Sequence, residues 1–405
     1  MNILFLTLSK INNLNNSGLY TDLVNALKNK GHKVYIVRPI EKRESDIEEV
    51  IDFDNIKLLK IRTGNITKNK SFIEKGLSML HIERQFRKGM EKYYKGIKFD
   101  LVIYATPPIT FNNLIKWIKD RDNAHTYLML KDIFPKNAVD MEIFSKKSPM
   151  YRYFKKRENE LYTISDYIGT MSEANKNYII KHNRVDPNKV EVFPNSISIE
   201  EKIHSGDRDK IYEQLGLNPE LKTFIYGGNI GLPQDPNFII EFCKRIQEIN
   251  GWQILIIGSG SKYDLLYENV HKLKNVIITP SVENENYEKI LSVCDIGLIF
   301  LSHKFTIPNY PSRILSYCKY SKPIIAMTDI STDVRSLIEE NSMGLWFESN
   351  EESLDRIISA IKQWLESAEY QFAGSQSKKI LVDKFNIKTN IGIIIDHFQK
   401  GEENV

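Results

Sequence analysis

Short apolar runs alternate with helix-period segments along almost the whole chain of 405 residues. Strand-like runs fall at 2–8, 33–38, 56–61, 100–105, 125–130, 166–171 and 190–193, then at 222–226, 253–257, 276–279, 295–301, 323–327 and 344–347. Amphipathic stretches such as 19–30, 237–250, 285–293 and 353–368 fill the intervals. Strands separated by helical crossovers pair in parallel, so the pattern predicts an α/β fold of doubly wound parallel sheets. The rhythm breaks between 194 and 221, where the charged run SGDRDK precedes a fresh strand. We therefore expect two Rossmann-like domains facing across a cleft, over 1–200 and 215–385, joined near 195–220. The last helix, about 387–399, lies beyond the second domain's strands and is expected to cross back to the first.

With 41% apolar and 27% charged residues the chain has the make-up of a soluble globular protein. No apolar run approaches the roughly 18 residues a membrane span requires, and the sequence enters a strand directly after Met1. Cys243, Cys294 and Cys318 are scattered in apolar segments and fit neither a zinc spacing nor a disulfide framework. A reducing cytoplasm is the expected location, and the sequon at Asn65 then carries no meaning.

The net charge of +4 hides an asymmetry: residues 1–200 hold 34 Lys+Arg against 24 Asp+Glu, and the remainder 22 against 28. Much of the excess sits in 68–98, where nine basic and three acidic residues surround Phe72, Leu77, Leu80, Ile82, Phe86 and Met90. Such a segment suits either an anionic membrane surface or a solvated helix packed on its own domain. Nucleic acid is not indicated, because no aromatic-interleaved basic platform or DNA-binding motif occurs.

Chemistry concentrates in 305–323, FTIPNYPSRILSYCKYSKP, between the strands 295–301 and 323–327. Ligands of parallel sheets collect where strand carboxyl ends meet helix starts. Ser312 is placed as an N-cap with Arg313 beside it, a site suited to an anion such as phosphate. Glycine turns follow other strands: Asn15–Gly18, then Gly228, Asn229, Ile230 and Gly231, then Gly258. None is a dinucleotide fingerprint, and no acidic residue stands about 20 positions on, which disfavours a nicotinamide oxidoreductase. Asp52-Phe53-Asp54 and Asp207-Arg208-Asp209 have the spacing of a metal-binding DxD but sit in charged loops. No metal or cofactor is expected.

In order, GN-x-G, IIGSGS, NVIITPSV, CDIGLIFLS and PSRILSYCKYSKPIIA resemble the C-terminal domain of retaining, GT-B-fold glycosyltransferases of family 4. KDIFPK, 131–136, is similar to the RDLWP-type motif of capsule and O-antigen members such as N-acetylfucosamine transferases. The resemblance implies a nucleotide-sugar donor, UDP by preference, held mainly by the second domain, and a lipid-linked saccharide acceptor held by the first. It implies backbone reading of the base near Ser281 and Val282, and donor contacts from Tyr310, Ser312 and Ser316. Family members carry two glutamates eight positions apart where this chain has Pro308 and Ser316. The carboxylate that usually grips the ribose is thus absent, and diphosphate charge falls to Arg313, Lys304 and the amides of 228–231.

A transfer of this kind builds negative charge on the leaving diphosphate, so fixed donors and cations matter more than a nucleophile. Asp132 is assigned to positioning the acceptor hydroxyl, and His303 to the donor sugar or phosphate. The protein is then expected on the inner face of the membrane. A non-hydrolysing nucleotide-sugar epimerase and a catalytically inactive nucleotide-sugar-binding protein share the same plan and stay open.

Overall fold

The computed structural model describes residues 1–11, 13–44, 47–66, 72–199 and 203–399. The chain divides into two compact units, Met1–Ser198 with Asn386–Val405, and Ile199–Phe385.

The first unit is built on eight strands: β1 (Asn2–Leu6), β2 (Lys33–Glu41), β3 (Glu49–Phe53), β4 (Ile56–Thr63), β5 (Leu101–Ala105), β6 (His125–Leu130), β7 (Tyr167–Thr170) and β8 (Val190–Val192). Their order is β3-β4-β2-β1-β5-β6-β7-β8. All pairs are parallel except β3 with β4. The sequence pattern misses β3, because EVIDF interrupts its three apolar residues with two charges and is mostly exposed. It forms as an edge hairpin: Asn55 takes the left-handed turn position (φ 57°), and Asp52 meets Lys57 at 3.3 Å across the pair. Charged edges of this kind discourage further strand pairing.

The helix Ile387–Gln399 belongs to the first unit. Ile387, Ile391, Ile394 and Ile395 share one face at helical spacing and join the core with Leu23, Val24 and Leu27 of the helix Leu19–Asn29. Ile387 N–H donates to the Ile197 carbonyl (3.1 Å), and Asn390 Nδ2 to Ser196 Oγ (2.8 Å). Burying four isoleucines contributes roughly 1.5–3 kcal/mol each relative to exposure.

The basic segment 68–98 forms the helix Phe72–Tyr93; residues 68–71 and the side chains of 72–77, 79 and 80 lie outside the described residues. Ile82, Phe86 and Met90 are fully buried in their own unit, and Phe86 meets the Phe111 ring at 5.1 Å. The described part of its apolar face is therefore core, while the cations Arg84, Arg87, Lys88 and Lys92 are exposed.

The second unit holds β9 (Lys222–Asn229), β10 (Trp252–Ser259), β11 (Val276–Pro280), β12 (Ile296–Phe300), β13 (Ile324–Thr328) and β14 (Gly344–Glu348). The order is β11-β10-β9-β12-β13-β14, parallel throughout. Strand order reverses between β9 and β12, so a crevice opens beyond their carboxyl ends. The core is apolar on both faces, with Phe224, Tyr226, Ile254, Ile256, Leu298 and Phe300 completely or almost completely buried.

Candidate active site

The strand β9 runs three residues past the expected 222–226, so Gly227, Gly228 and Asn229 are strand residues paired with Ile257, Gly258 and Ser259 of β10. Two of these positions require glycine. A Cβ on Gly227 would lie 2.2 Å from the Tyr287 ring, and one on Gly228 (φ 130°) only 1.7 Å from Arg313 Nη2. The bare backbone thus leaves room for an aromatic ring on one side and a guanidinium on the other.

Beside them lies a cleft of about 380 Å³ lined by Gly227, Gly228, Asn229, Ser281, Val282 and Tyr287, among others. Of the expected donor residues, the fold therefore gathers Gly228, Asn229, Ser281 and Val282 on one cleft, with Gly258 packed behind Gly228. Arg313 is half-buried, its Cζ 4.4 Å from the centroid of the Tyr226 ring. The arginine stays charged at any ordinary pH, and the ring face balances its partial burial. Burial pushes the Tyr287 hydroxyl up to about 12, so it remains protonated.

The loop after β12 is fastened to the loop after β9. Ser302 N–H donates to the Pro233 carbonyl (2.9 Å), Ser302 Oγ to Asp235 Oδ2 (3.3 Å), and His303 Nδ1 stands 3.7 Å from the same carboxylate. His303 and Lys304 are exposed at this switch point. Further on, Thr332 Oγ1 donates to the Asn309 carbonyl (2.5 Å) and Ser331 Oγ to that of Phe305 (3.2 Å), pinning the approach to Arg313.

Several expectations are corrected. Ser312 stands at the N-cap position of the helix Arg313–Lys319, but it is exposed, in helical conformation, and makes no side-chain cap bond. The amides of Ile230 and Gly231 are already used, by the Ser259 carbonyl (2.8 Å) and Gln234 Oε1 (3.1 Å); of the four amides assigned to the diphosphate, these two are taken. The Ile230 side chain is core. Gly18 N–H donates to Asp22 Oδ1 (3.3 Å), so that helix start holds a carboxylate of its own. Tyr310 is half-buried with its ring centroid 6.4 Å from that of Phe385. Pro308 is buried and Ser316 half-buried. Sequence reasoning missed Tyr226, Tyr287 and Gln234, whose parts depend on tertiary neighbours. The two DxD stretches have structural roles: Asp52 pairs on the β3 edge, and Asp207 caps the helix Arg208–Leu215. Among the described residues no three His, Cys, Asp or Glu are grouped to hold a metal.

In the first unit Lys131 and Asp132 follow β6 directly. Both backbone amides donate to Thr106 Oγ1 (3.0 and 3.3 Å), and Asn137 Nδ2 donates to Asp132 Oδ1 (2.6 Å). Burial pushes the Asp132 carboxyl up to about 6, against the pull of the Asn137 hydrogen bond, and brings Lys131 down to about 7. Two adjacent groups poised near neutrality at a strand's carboxyl end suit proton handling.

Comparison with known proteins now bears on this geometry. Residues 19–201 match Glycosyltransferase Family 4, and residues 207–379 match Glycosyl transferases group 1. The chain belongs to the GT-B glycosyltransferases. A probable glycosyltransferase, WbjE of Pseudomonas aeruginosa, is 23% identical over 256 residues, 60% of this chain and 59% of that protein, under two thirds of its length. Among solved structures, sucrose-phosphate synthase from Thermosynechococcus elongatus superposes with TM-score 0.74 at 12% identity, covering 100% of both chains. The Anabaena protein HepE in complex with UDP and glucose gives 0.68 at 14% identity, covering 99% of this chain and 100% of that one. The E. coli structure of trehalose-6-phosphate bound with UDP-2-fluoro glucose gives 0.71 at 12% identity, covering 98% and 99%. At such identities these likenesses bear on the fold alone.

Proposed function

We propose that this chain moves a sugar, with retention, from a UDP-linked donor to a lipid-linked saccharide during assembly of a bacterial surface polysaccharide. The observation that carries the reading is the cleft at the carboxyl ends of β9, β10 and β11 in the second unit, with Arg313 held against Gly228 beside it. Its cation answers the charge that builds on a departing diphosphate, where fixed electrostatics supply the largest catalytic term. UDP as donor is supported by the UDP and UDP-sugar complexes of similar fold, and surface polysaccharide by KDIFPK and the WbjE likeness. The sugar class this resemblance favours is an N-acetylated deoxyamino sugar. In this reading Asp132 orients the acceptor hydroxyl from the first unit, His303 and Lys304 meet the donor, no metal is required, and the protein works at the inner face of the membrane.

One observation favours a second reading, a nucleotide-sugar-binding protein without transfer: Pro308 and Ser316 stand where the family's glutamates would be. A thermal-shift titration with UDP, GDP, ADP and NAD separates these readings from unrelated ones. A ligand at about 100 times its Kd stabilises by about 2.7 kcal/mol, and UDP is expected to give the largest shift. No shift with any nucleotide defeats both. A shift without sugar release from UDP-sugar, in the presence of lipid-linked acceptor, leaves the binding protein.

A further inference from the structure

We infer that the first unit meets an anionic lipid bilayer through the segment 143–157 and the basic groove beside it. The inference rests on the lipid-linked acceptor proposed above. Residues 143–157, IFSKKSPMYRYFKKR, carry six basic residues and no acidic one. Within this run Ile143, Met150 and Tyr153 are 53, 55 and 38% exposed. Exposed apolar side chains among an excess of cations are what an interface with anionic lipid uses, the apolar groups entering the headgroup layer and the cations its negative potential.

The segment leads into a capped helix. Ser148 Oγ accepts from Tyr151 N–H (3.1 Å) and Pro149 takes the first turn, starting the helix Pro149–Ile164. Met150 and Tyr153 then fall three apart, on one side of it. Between this helix and Asn112–Asp122 lies a groove of about 780 Å³, lined in part by Lys116, Arg152, Lys155, Lys156 and Arg157. Glu160 is shared by Lys156 (3.8 Å) and Arg157 (3.1 Å), and Glu158 takes Lys155. Among the described residues Lys116, Lys146, Lys147 and Arg152 have no acidic partner, so the face keeps a net positive charge.

Beneath it Phe134 meets Phe144 and Phe154, ring centroids 6.1 and 5.0 Å apart. Phe134 is two residues past Asp132, on the same loop. A bilayer on this face brings a saccharide tethered to lipid to the residue that would orient its hydroxyl. Among the described side chains of the helix Phe72–Tyr93, the apolar residues Ile82, Phe86 and Met90 are buried and the cations stand without such a complement.

The test is flotation of the full chain with vesicles of phosphatidylglycerol and phosphatidylcholine, or of phosphatidylcholine alone. Binding is expected only to the former, with release as salt shortens the screening length from about 10 Å towards 3 Å. The reversal Lys146→Glu, Lys147→Glu, Arg152→Glu and Lys156→Glu should lower the bound fraction by about tenfold or more. Met150→Ser with Tyr153→Ser should lower it without changing the salt dependence. The UDP melting shift, measured on the same preparations, reports folding and the nucleotide reading separately. Failure of the wild-type chain to float, or undiminished flotation of the folded charge-reversed chain, overturns the inference. So does loss of binding only on reversing Arg84, Arg87, Lys88 and Lys92.

Discussion

Arg313 Nη2 occupies the space beside Gly228 in which a side chain at that position would begin, 1.7 Å from where its Cβ would lie. The two residues make one device: glycine admits the guanidinium, and the Tyr226 ring face steadies it. Arg313→Ala should weaken UDP by roughly 10- to 100-fold, the worth of a charge-assisted contact of about 1.5–3 kcal/mol. Uridine, lacking the diphosphate, should be held as before. Gly228→Ala should impair UDP similarly by displacing Arg313, and should strain the backbone by about 1–3 kcal/mol at its positive φ. Calorimetric titration of both variants with UDP and uridine checks this; equal losses for the two ligands would make Arg313 structural.

Asp132 predicts a pH signature. Its carboxyl is raised from about 3.8 to about 6 by burial, so the folded state binds its proton more readily than the unfolded state. The stability this contributes is fully present below pH of about 4 and is lost as pH rises through about 6. Lys131 has the opposite sense: lowered to about 7, it contributes stability at high pH that is lost as pH falls towards 7. For activity, a base that protonates near 6 gives kcat/KM a falling acid limb there. Asp132→Asn keeps an acceptor for Asn137 and should remove that limb, lowering the rate by about 10²–10⁴. An unchanged pH–rate profile would sink the assignment.

What was legible in the sequence follows periodicity and local chemistry. Parallel strands buried on both faces, such as LVIYA and IGLIF, read as unbroken apolar runs, and the isoleucines at 387, 391, 394 and 395 mark a helix face. The strand EVIDF was hidden because an exposed edge needs no apolar face. Gly228 and Asn229 read as a turn, since glycine signals turns, yet pairing with β10 holds Gly227–Asn229 extended. The cleft's backbone positions, Gly228, Asn229, Ser281 and Val282, were reachable through local motifs. Tyr287, 59 residues beyond Gly228, was not: its place depends on the crossover that follows β11, which no local pattern encodes.

Glu288, Lys319 and Tyr320 form a buried polar cluster in the second unit. Lys319 Nζ lies 3.2 and 3.3 Å from the two carboxylate oxygens of Glu288, and Tyr320 Oη donates to Oε2 at 2.9 Å. Removing one partner of a buried pair leaves an uncompensated charge, so Lys319→Ala should cost about 3–5 kcal/mol. Lys319→Met with Glu288→Gln should cost much less, because neither charge is then stranded. Urea unfolding of the single and double variants reads the difference, and an additive double variant would mean the pair is not coupled.

Gln234 organises the loop after β9. Its Oε1 accepts from Gly231 N–H (3.1 Å) and from Asn229 Nδ2 (2.8 Å), and Asn229 lines the cleft of the second unit. Gln234→Glu keeps both acceptances and adds only charge. If a diphosphate lies against Asn229, that carboxylate repels it, and UDP should weaken by about fivefold or more at low salt, with recovery as ions screen the pair. Uridine should be unaffected. Gln234→Ala removes both bonds without adding charge, so it should weaken UDP with little dependence on salt. Titrating both variants at low and high ionic strength separates the two causes. A Gln234→Glu variant that binds UDP like the wild type at low salt would place the diphosphate away from this loop.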